Sequence, residues 1–151
     1  MIKANKDLIS YKLESSVKVF EKYINEYLTE LSGGKLALAF SMDNTKLSID
    51  VYNKGIQCSI KTLSSGQQTS VNIATLLAIR NTMAKISKNS INFLFLDEVV
   101  STLDENLKLE LIEILVKEPY LNTTLVSHGF SHPLATTRKV VVDANGFSRI
   151  L

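Results

Sequence analysis

The stretch FLFLDE at residues 93–98 decides the fold of this chain. Its uninterrupted apolar residues predict a short strand, running from about residue 91 to 96, that is covered on both faces as in parallel sheets. Two carboxylates, Asp97 and Glu98, then stand at the carboxyl edge of the sheet, where α/β proteins bind ligands. Because successive strand residues face opposite ways, the two acids can do different jobs. The stretch therefore predicts an α/β protein with a site at this edge.

The residues that flank this stretch predict strands alternating with helices. Helices are expected over about 66–85 and 104–117, strands over 124–127 and 140–143, and a tight Asn145-Gly146 hairpin into a last strand at 147–151. Earlier in the chain, apolar residues alternate with polar ones at 36–40, 47–51 and 56–60, with turns at Asp43-Asn44 and 53–55. We therefore expect a parallel, helix-covered α/β core with a three-stranded antiparallel meander at its edge.

A long helix is predicted over about residues 6–32. Its apolar residues recur at heptad-like spacings, and Gly33-Gly34 follows as a left-handed cap; the apolar residues are Leu13, Val17, Phe20, Ile24, Tyr27 and Leu31. The pattern fits an amphipathic helix that lies on its own domain, and it fits equally the root of a coiled-coil arm. Both interpretations stay open from the sequence.

Composition points to one core and no strong charge. The chain has 151 residues, 45% of them hydrophobic, and a net charge of +2, which gives no electrostatic reason to expect nucleic acid or anionic lipid. Cys58 is the single cysteine, so no internal disulfide can form, and we expect it to be a small apolar strand residue. No stretch approaches the about 18 apolar residues of a membrane helix, and the lysine-dotted N-terminus is unlike a signal peptide. We expect a soluble, cytoplasmic protein.

A helix start at LSSGQ, residues 63–67, is a candidate anion site. Ser64 and Gln67 have capping-box spacing, so the simplest interpretation is that Ser64 satisfies free N–H groups. The same free groups and the helix dipole attract anions, and Gly66 lets the main chain approach a phosphate closely.

The acids of FLFLDE suggest metal and water chemistry. Asp97 can hold Mg²⁺ through water, and Glu98 can deprotonate a water that attacks a γ-phosphate. The alternative is a pair of solvated acids at a strand end.

Two later residues belong to the same edge. His128 follows an apolar strand and precedes Gly129, where an imidazole can reach a phosphate, although a lone histidine is more often structural. Asp104 is expected to cap the next helix, and Thr102 with Glu105 also has capping-box spacing.

Taken in order, these motifs resemble those of a known superfamily. LSSGQ, FLFLDE, STLD at 101–104 and SHG at 127–129 resemble the signature, Walker B, D-loop and H-loop of ABC ATPases, more closely the SbcC and structural-maintenance-of-chromosomes (SMC) branch. The branch is favoured by the meander and heptad helix before the signature and by Val99-Val100 after the acids. Ser65 stands where the family usually has glycine. LSGGK at 31–35 matches the signature spelling better, but it ends a helix and is interpreted as a helix stop.

The resemblance implies a division of labour among the residues. Residues 35–151 would be the C-terminal lobe of an ATPase head, and residues 1–34 its N-terminal helix. Two heads would enclose two ATP molecules. The implied contacts to the opposing head's nucleotide are Ser64, Ser65, Gly66 and Gln67, with Asp104 coupling the sites. On the chain's own side, Asp97 would serve Mg²⁺, Glu98 would be the catalytic base and His128 would sense the γ-phosphate. Arg80 alone matches the arginines that couple heads to arms in the family.

The pattern Gly-x-x-x-x-Gly-Lys-Ser/Thr, which wraps ATP phosphates, does not occur. The chain is therefore expected to be inactive until an N-terminal P-loop lobe completes it. The implied partners are that lobe, a second head, a nuclease subunit and, through the assembled complex, DNA at the nucleoid, with no membrane partner. Two alternatives remain: a non-hydrolysing module that docks on a full ATPase, and half of a transporter nucleotide-binding domain.

Overall fold

A computed structural model describes residues 2–43, 46–87 and 91–150, without the side chains of residues 2–10 and of Asp43. The elements in chain order are α1 (Ile2–Ser32), β1 (Leu36–Asp43), β2 (Lys46–Asn53), β3 (Ile56–Cys58), α2 (Ser65–Ile86), β4 (Phe93–Asp97), α3 (Glu105–Lys117), β5 (Asn122–Val126), β6 (Val140–Val142) and β7 (Ser148–Ile150). Single 3-10 turns cover Ile60–Thr62 and Val99–Thr102. This is the mixed α/β class that the sequence predicts. The turn expected at Asp43-Asn44 lies outside the described residues.

Strands β1, β2 and β3 form the predicted antiparallel meander. Its expected place at the edge of the parallel sheet is wrong, because the meander is a separate three-stranded sheet. The outer side of β1 is occupied by α1: the Asn25 amide donates to the carbonyl of Leu38 at 2.7 Å and accepts from its N–H at 2.8 Å. A main-chain group satisfied in this way has no need of a neighbouring strand.

Helix α1 divides into a buried and an exposed part. Ile24, Leu28 and Leu31 are at most 1% exposed, whereas Leu13 is 49% and Tyr11 70% exposed. The helix ends at Ser32 as expected, with positive φ at Gly33 and Gly34. The C-terminal part of α1 therefore lies on its own domain, whereas Tyr11 and Leu13 nearer the N-terminus are exposed.

The core lies between α1, the meander, α2, β4 and α3. Its most buried apolar side chains include Ile24, Leu28, Ile73, Ala74, Leu77, Leu96 and Leu111. The half-buried Cys58 packs against this cluster, as expected of an apolar strand residue. No helix among the described residues is long and apolar enough to cross a membrane.

Strands β4 and β5 pair in parallel, with Phe93 opposite Asn122 and Asp97 opposite Val126. Leu96 faces the core and is 2% exposed, but Phe93 and Phe95 point the other way and are each 55% exposed. The expectation of a strand covered on both faces is therefore wrong for this chain as described. Parallel sheets occur almost only with both faces covered. We call Phe93, Phe95 and Val126, which is 40% exposed, the open face.

Strands β6 and β7 form the expected hairpin. Gly146 adopts φ 81° at the turn and donates to the carbonyl of Asp143 at 3.0 Å.

Arg80 is buried and joins three elements. Its Nε donates to the Ile91 carbonyl, and its Nη1 donates to Glu118, just beyond α3. Glu118 also accepts from the Tyr27 hydroxyl on α1. Burial, followed by the hydrogen bond and charge of Glu118, raises the pKa of Tyr27 far above its usual range. The arginine thus holds α2 to the end of α3 and, through Glu118, to α1.

Candidate active site

The carboxyl ends of β4 and β5 bring the predicted catalytic residues together. Because the strands are parallel and in register, Glu98 follows one strand end and His128 the other. His128 Nε2 lies 3.4 Å from Glu98 Oε1. The histidine side chain is 98% exposed and that of Glu98 41%. A carboxylate and an imidazole therefore face solvent at the edge where α/β sheets bind ligands.

Glu98 has an unusual backbone conformation. It lies in the left-handed region, with φ 56° and ψ 11°. Its N–H donates to the Val126 carbonyl at 2.9 Å, which extends the pairing of β4 with β5, and its carbonyl accepts from the Ser101 hydroxyl at 2.6 Å. A left-handed residue with a side chain costs roughly 1–2 kcal/mol, and such strain clusters at functional sites. The sequence carries no signal for this conformation.

Asp97 is the last residue of β4 and is exposed. No group of three or more His, Cys, Asp and Glu side chains that could hold a metal occurs in the described part of the chain. Mg²⁺ in phosphate-transfer sites is commonly held by only one or two carboxylates, with the remaining ligands supplied by water and substrate phosphates. A single exposed carboxylate at the strand end fits that requirement, provided that a nucleotide supplies oxygens.

The start of α2 has the geometry of an anion site. Ser64 is the N-cap: its Oγ accepts from the Gln67 N–H at 3.3 Å, and Gln67 Oε1 accepts from the Ser64 N–H at 3.0 Å. The predicted capping box is therefore confirmed. It occupies an acceptor position of Ser64, while the hydroxyl proton has no acceptor among the described residues. Ser65, the first helical residue, is exposed beside it.

Gly66 is needed for packing as well. A Cβ atom there would lie 3.0 Å from the carbonyl oxygen of Thr102, in the 3-10 turn that follows Glu98. Next to this contact, the hydroxyls of Thr69 and Thr102 are 2.7 Å apart. The expected capping box of Thr102 with Glu105 is wrong, because α3 begins only at Glu105 and the Thr102 hydroxyl is turned to Thr69 and Val99.

Asp104 is the N-cap of α3. Its carboxylate accepts from the Leu107 N–H at 2.9 Å, and the residue is exposed. The capping role is confirmed, and the coupling role across a dimer stays a prediction. The other histidine, His132, uses Nδ1 to accept from the Leu134 N–H.

An apolar cleft of about 500 Å³ lies elsewhere, between α1, the meander and α2. It is lined by residues such as Phe20, Phe40 and Ile79, and it contains none of the candidate site residues. The candidate chemistry is therefore at an open edge of the sheet rather than in a cavity.

Comparisons with known proteins agree with this architecture. The chain is 51% identical over 148 residues to "Probable exonuclease subunit 2" of Escherichia phage T5, covering 98% of the chain and 24% of that protein. It is 34% identical over 115 residues to "DNA double-strand break repair Rad50 ATPase" of Sulfurisphaera tokodaii, covering 74% of the chain and 12% of that protein. The sequence relatives and the structural neighbours point to an SMC/Rad50-type ATPase head domain.

Solved SMC structures show the same fold. An SMC head bound to the C-terminal winged-helix domain of ScpA matches 89% of the chain and 42% of its own length, with a TM-score of 0.70 and 16% identity. A chain studied for ATP-driven dimerization and DNA-stimulated activation of SMC ATPases matches 97% of this chain and 88% of its own length, with a TM-score of 0.68 and 14% identity. No protein-family model matches. This SMC/Rad50-type chain spans about a quarter or less of the curated relatives that it matches.

Proposed function

We propose that this chain is the C-terminal half of an ATP-hydrolysing head of an SbcC-like DNA repair and recombination ATPase. The observation that carries the proposal is the meeting of Glu98 and His128, 3.4 Å apart, at the carboxyl ends of two parallel strands. The likeness to SMC/Rad50-type heads adds that heads of this type use ATP and Mg²⁺.

On the chain's own side of the site, Glu98 takes a proton from the water that attacks the γ-phosphate. His128, beside it, donates a hydrogen bond to a γ-phosphate oxygen. Asp97 holds Mg²⁺ through water, and the ion, when bound, supplies positive charge to the phosphates. On the other side, Ser64, Ser65, Gly66 and Gln67 meet the nucleotide of a second head, and Asp104 lies at the interface.

The chain needs a P-loop lobe for this chemistry. Its sequence has no P-loop, and the open face leaves Phe93 and Phe95 unburied. We propose that strands and a helix of the P-loop lobe cover this face, and that residues 35–151 form the C-terminal lobe. Residues 1–34 would then form the root of a coiled-coil arm, because the exposed Leu13 continues the buried stripe of α1.

The names of the relatives suggest the setting. One is called an exonuclease subunit and the other a double-strand-break repair ATPase. We propose a nuclease subunit and, through the assembled complex, DNA as partners in the cytoplasm.

The test is ATP hydrolysis by this chain assembled with its P-loop lobe. We expect hydrolysis by the assembly and none by either part alone. Glu98→Gln should lower kcat by about 100-fold or more, because general base catalysis contributes about 10²–10⁴-fold. Glu113→Gln is the matched control, since Glu113 is an exposed α3 carboxylate paired with Lys117. If the assembly with Glu98→Gln still hydrolyses ATP at the wild-type rate, the proposal is wrong. If the chain binds its partner equally well with and without ATP and no hydrolysis occurs, a docking module is favoured.

A further inference from the structure

We infer that Thr102 is a positioning residue of the proposed ATPase, and that Thr69 is its partner. Together they hold the first turn of α2 against the segment that follows Glu98. The inference rests on the proposed function, since it concerns how residues of that site are kept in place.

The hydroxyls of the two threonines are directly bonded. Thr69 Oγ1 and Thr102 Oγ1 lie 2.7 Å apart, although they are 33 residues apart in sequence. Thr102 Oγ1 also lies 3.2 Å from the Val99 carbonyl, to which it donates. Either hydroxyl can donate in this pair. With Thr102 donating to Val99, Thr69 is the donor to Thr102, because a hydroxyl has one proton. A continuous hydrogen-bonded chain thus runs from α2 to Val99, the residue after Glu98.

A main-chain contact independently brings the same two segments together. The missing side chain of Gly66 lets the first turn of α2 approach the Thr102 carbonyl, and a Cβ at Gly66 would be only 3.0 Å from it. The hydrogen bond between the two hydroxyls therefore stabilises the close contact between Gly66 and Thr102.

The 3-10 turn that contains Thr102 is firmly packed in the core. Val100 is 3% and Leu103 6% exposed, so the 3-10 turn is fixed to the core on both sides of Thr102. At its other end, the turn begins with Glu98, whose backbone is held by Val126 and Ser101. Because the turn is rigid, a displacement of the start of α2 would also displace Glu98.

The consequence is a link between two different nucleotide sites. In the proposed function, Ser64 and Gly66 serve the nucleotide of the opposing head, whereas Glu98 serves the chain's own. Thr69 lies about one helical turn after Gly66, and Thr102 lies between Glu98 and Asp104. The threonine pair would set the distance between the two groups within one chain.

The experiment uses the assembled head with its P-loop lobe. Thr102→Val keeps the side-chain shape and removes the hydroxyl, and we expect kcat to fall about tenfold with KM for ATP changed less than about twofold, because small misplacements of catalytic groups are costly. Thr102→Ser should restore kcat. Thr69→Val should also lower kcat, and the double variant should be no worse than Thr102→Val alone, since Thr102→Val already removes the bond between the two hydroxyls.

Thr29→Val is the control, because Thr29 is an exposed α1 threonine whose hydroxyl donates to its own helix. A second measurement, amide hydrogen exchange, should show faster exchange in the second turn of α2, whose N–H groups are bonded within the helix, in Thr102→Val and no change in Thr29→Val. If hydrolysis depends on Glu98 but is unaffected by Thr102→Val, this inference is wrong and the proposed function stands. The same holds if the losses in kcat of the two single variants add in the double variant. Hydrolysis that does not depend on Glu98 would overturn the proposed function, and the inference with it.

Discussion

Arg80 Nη1 lies 2.7 Å from Glu118 Oε2, and the two side chains are only 9% and 10% exposed. The same guanidinium also donates to the carbonyls of Ile91 and Pro119, so its position is fixed from several directions. The pair joins α2 to the residues after α3, and Ile91 lies just before β4, at the opposite end of that strand from Glu98. Arg80 is therefore a structural residue in this chain.

Arg80→Met should destabilise the chain by about 3–5 kcal/mol, since it leaves Glu118 as an unpaired buried charge. Urea denaturation measures the change. Lys117→Met is the control: it removes an exposed pair with Glu113 that has an N···O distance of 3.7 Å, and the effect should be much smaller. Equal effects of the two substitutions would mean that the Arg80 pair contributes no more than a surface pair.

Tyr27 should make stability fall at alkaline pH. Its pKa is raised in the folded state by burial and by Glu118. The stabilisation is therefore fully present below the unfolded pKa of about 10 and is lost as pH rises through the folded value. Urea midpoints measured from pH 8 upward should fall less steeply in Tyr27→Phe than in the wild type. Parallel slopes would contradict the role of this tyrosine.

Glu98→Gly should stabilise the chain while abolishing the proposed catalysis. Relief of the left-handed backbone is worth roughly 1–2 kcal/mol, and the extra freedom of glycine when unfolded cancels about 0.5–1 kcal/mol. The difference is an expected net gain of at most about 1.5 kcal/mol in urea denaturation. Glu98→Gln, which keeps a side chain at the same φ of 56°, should leave stability unchanged. A loss of stability in Glu98→Gly would show that the Glu98 side chain itself stabilises the fold.

Gly66→Ala tests two opposed effects. Helix propensity alone favours alanine by up to about 1 kcal/mol, whereas the new Cβ would lie 3.0 Å from the anchored Thr102 carbonyl. Because overpacking typically costs about 1–3 kcal/mol, we expect a net loss of stability. Ser65→Ala, at the adjacent exposed position, should not show it. A gain in stability in Gly66→Ala would mean that the 3-10 turn containing Thr102 can shift to make room for the Cβ.

Phe93→Thr with Phe95→Thr should weaken association with the P-loop lobe by about tenfold or more, since buried aromatic side chains dominate interfaces. Titration calorimetry with that lobe measures the affinity. The control is Ile56→Thr, because Ile56 is 72% exposed but lies in the meander, away from the open face. Unchanged affinity in the double variant would show that the lobe docks elsewhere.

Local patterns predict the local structure well. The heptad spacing and Gly33-Gly34 predict α1 and its end, and Ser64 with Gln67 predicts the capping box, because each depends on neighbours in the sequence. The juxtaposition of Glu98 and His128 also follows from sequence, since parallel strands place their carboxyl ends at one edge.

What the sequence does not predict depends on residues that are distant in the chain. The Asn25 amide that occupies the edge of β1 is 13 residues from Leu38, and Thr69 is 33 residues from Thr102. A polar residue at such a position has many other uses, so no local pattern identifies its partner. The left-handed conformation of Glu98 has no local sequence signal either, and one of the two contacts of its main chain is to the distant Val126.

Helix α1 has the mechanics of a lever. It is 31 residues long, and its packing on the core begins at Phe20, whose ring meets that of Phe40 edge-on. At about 1.5 Å per residue, the part before Phe20 extends about 27 Å. A tilt of about 10° at the packed end would therefore move the free end by about 5 Å. Because α1 packs directly on α2, small displacements of α2 would be magnified at the far end of α1.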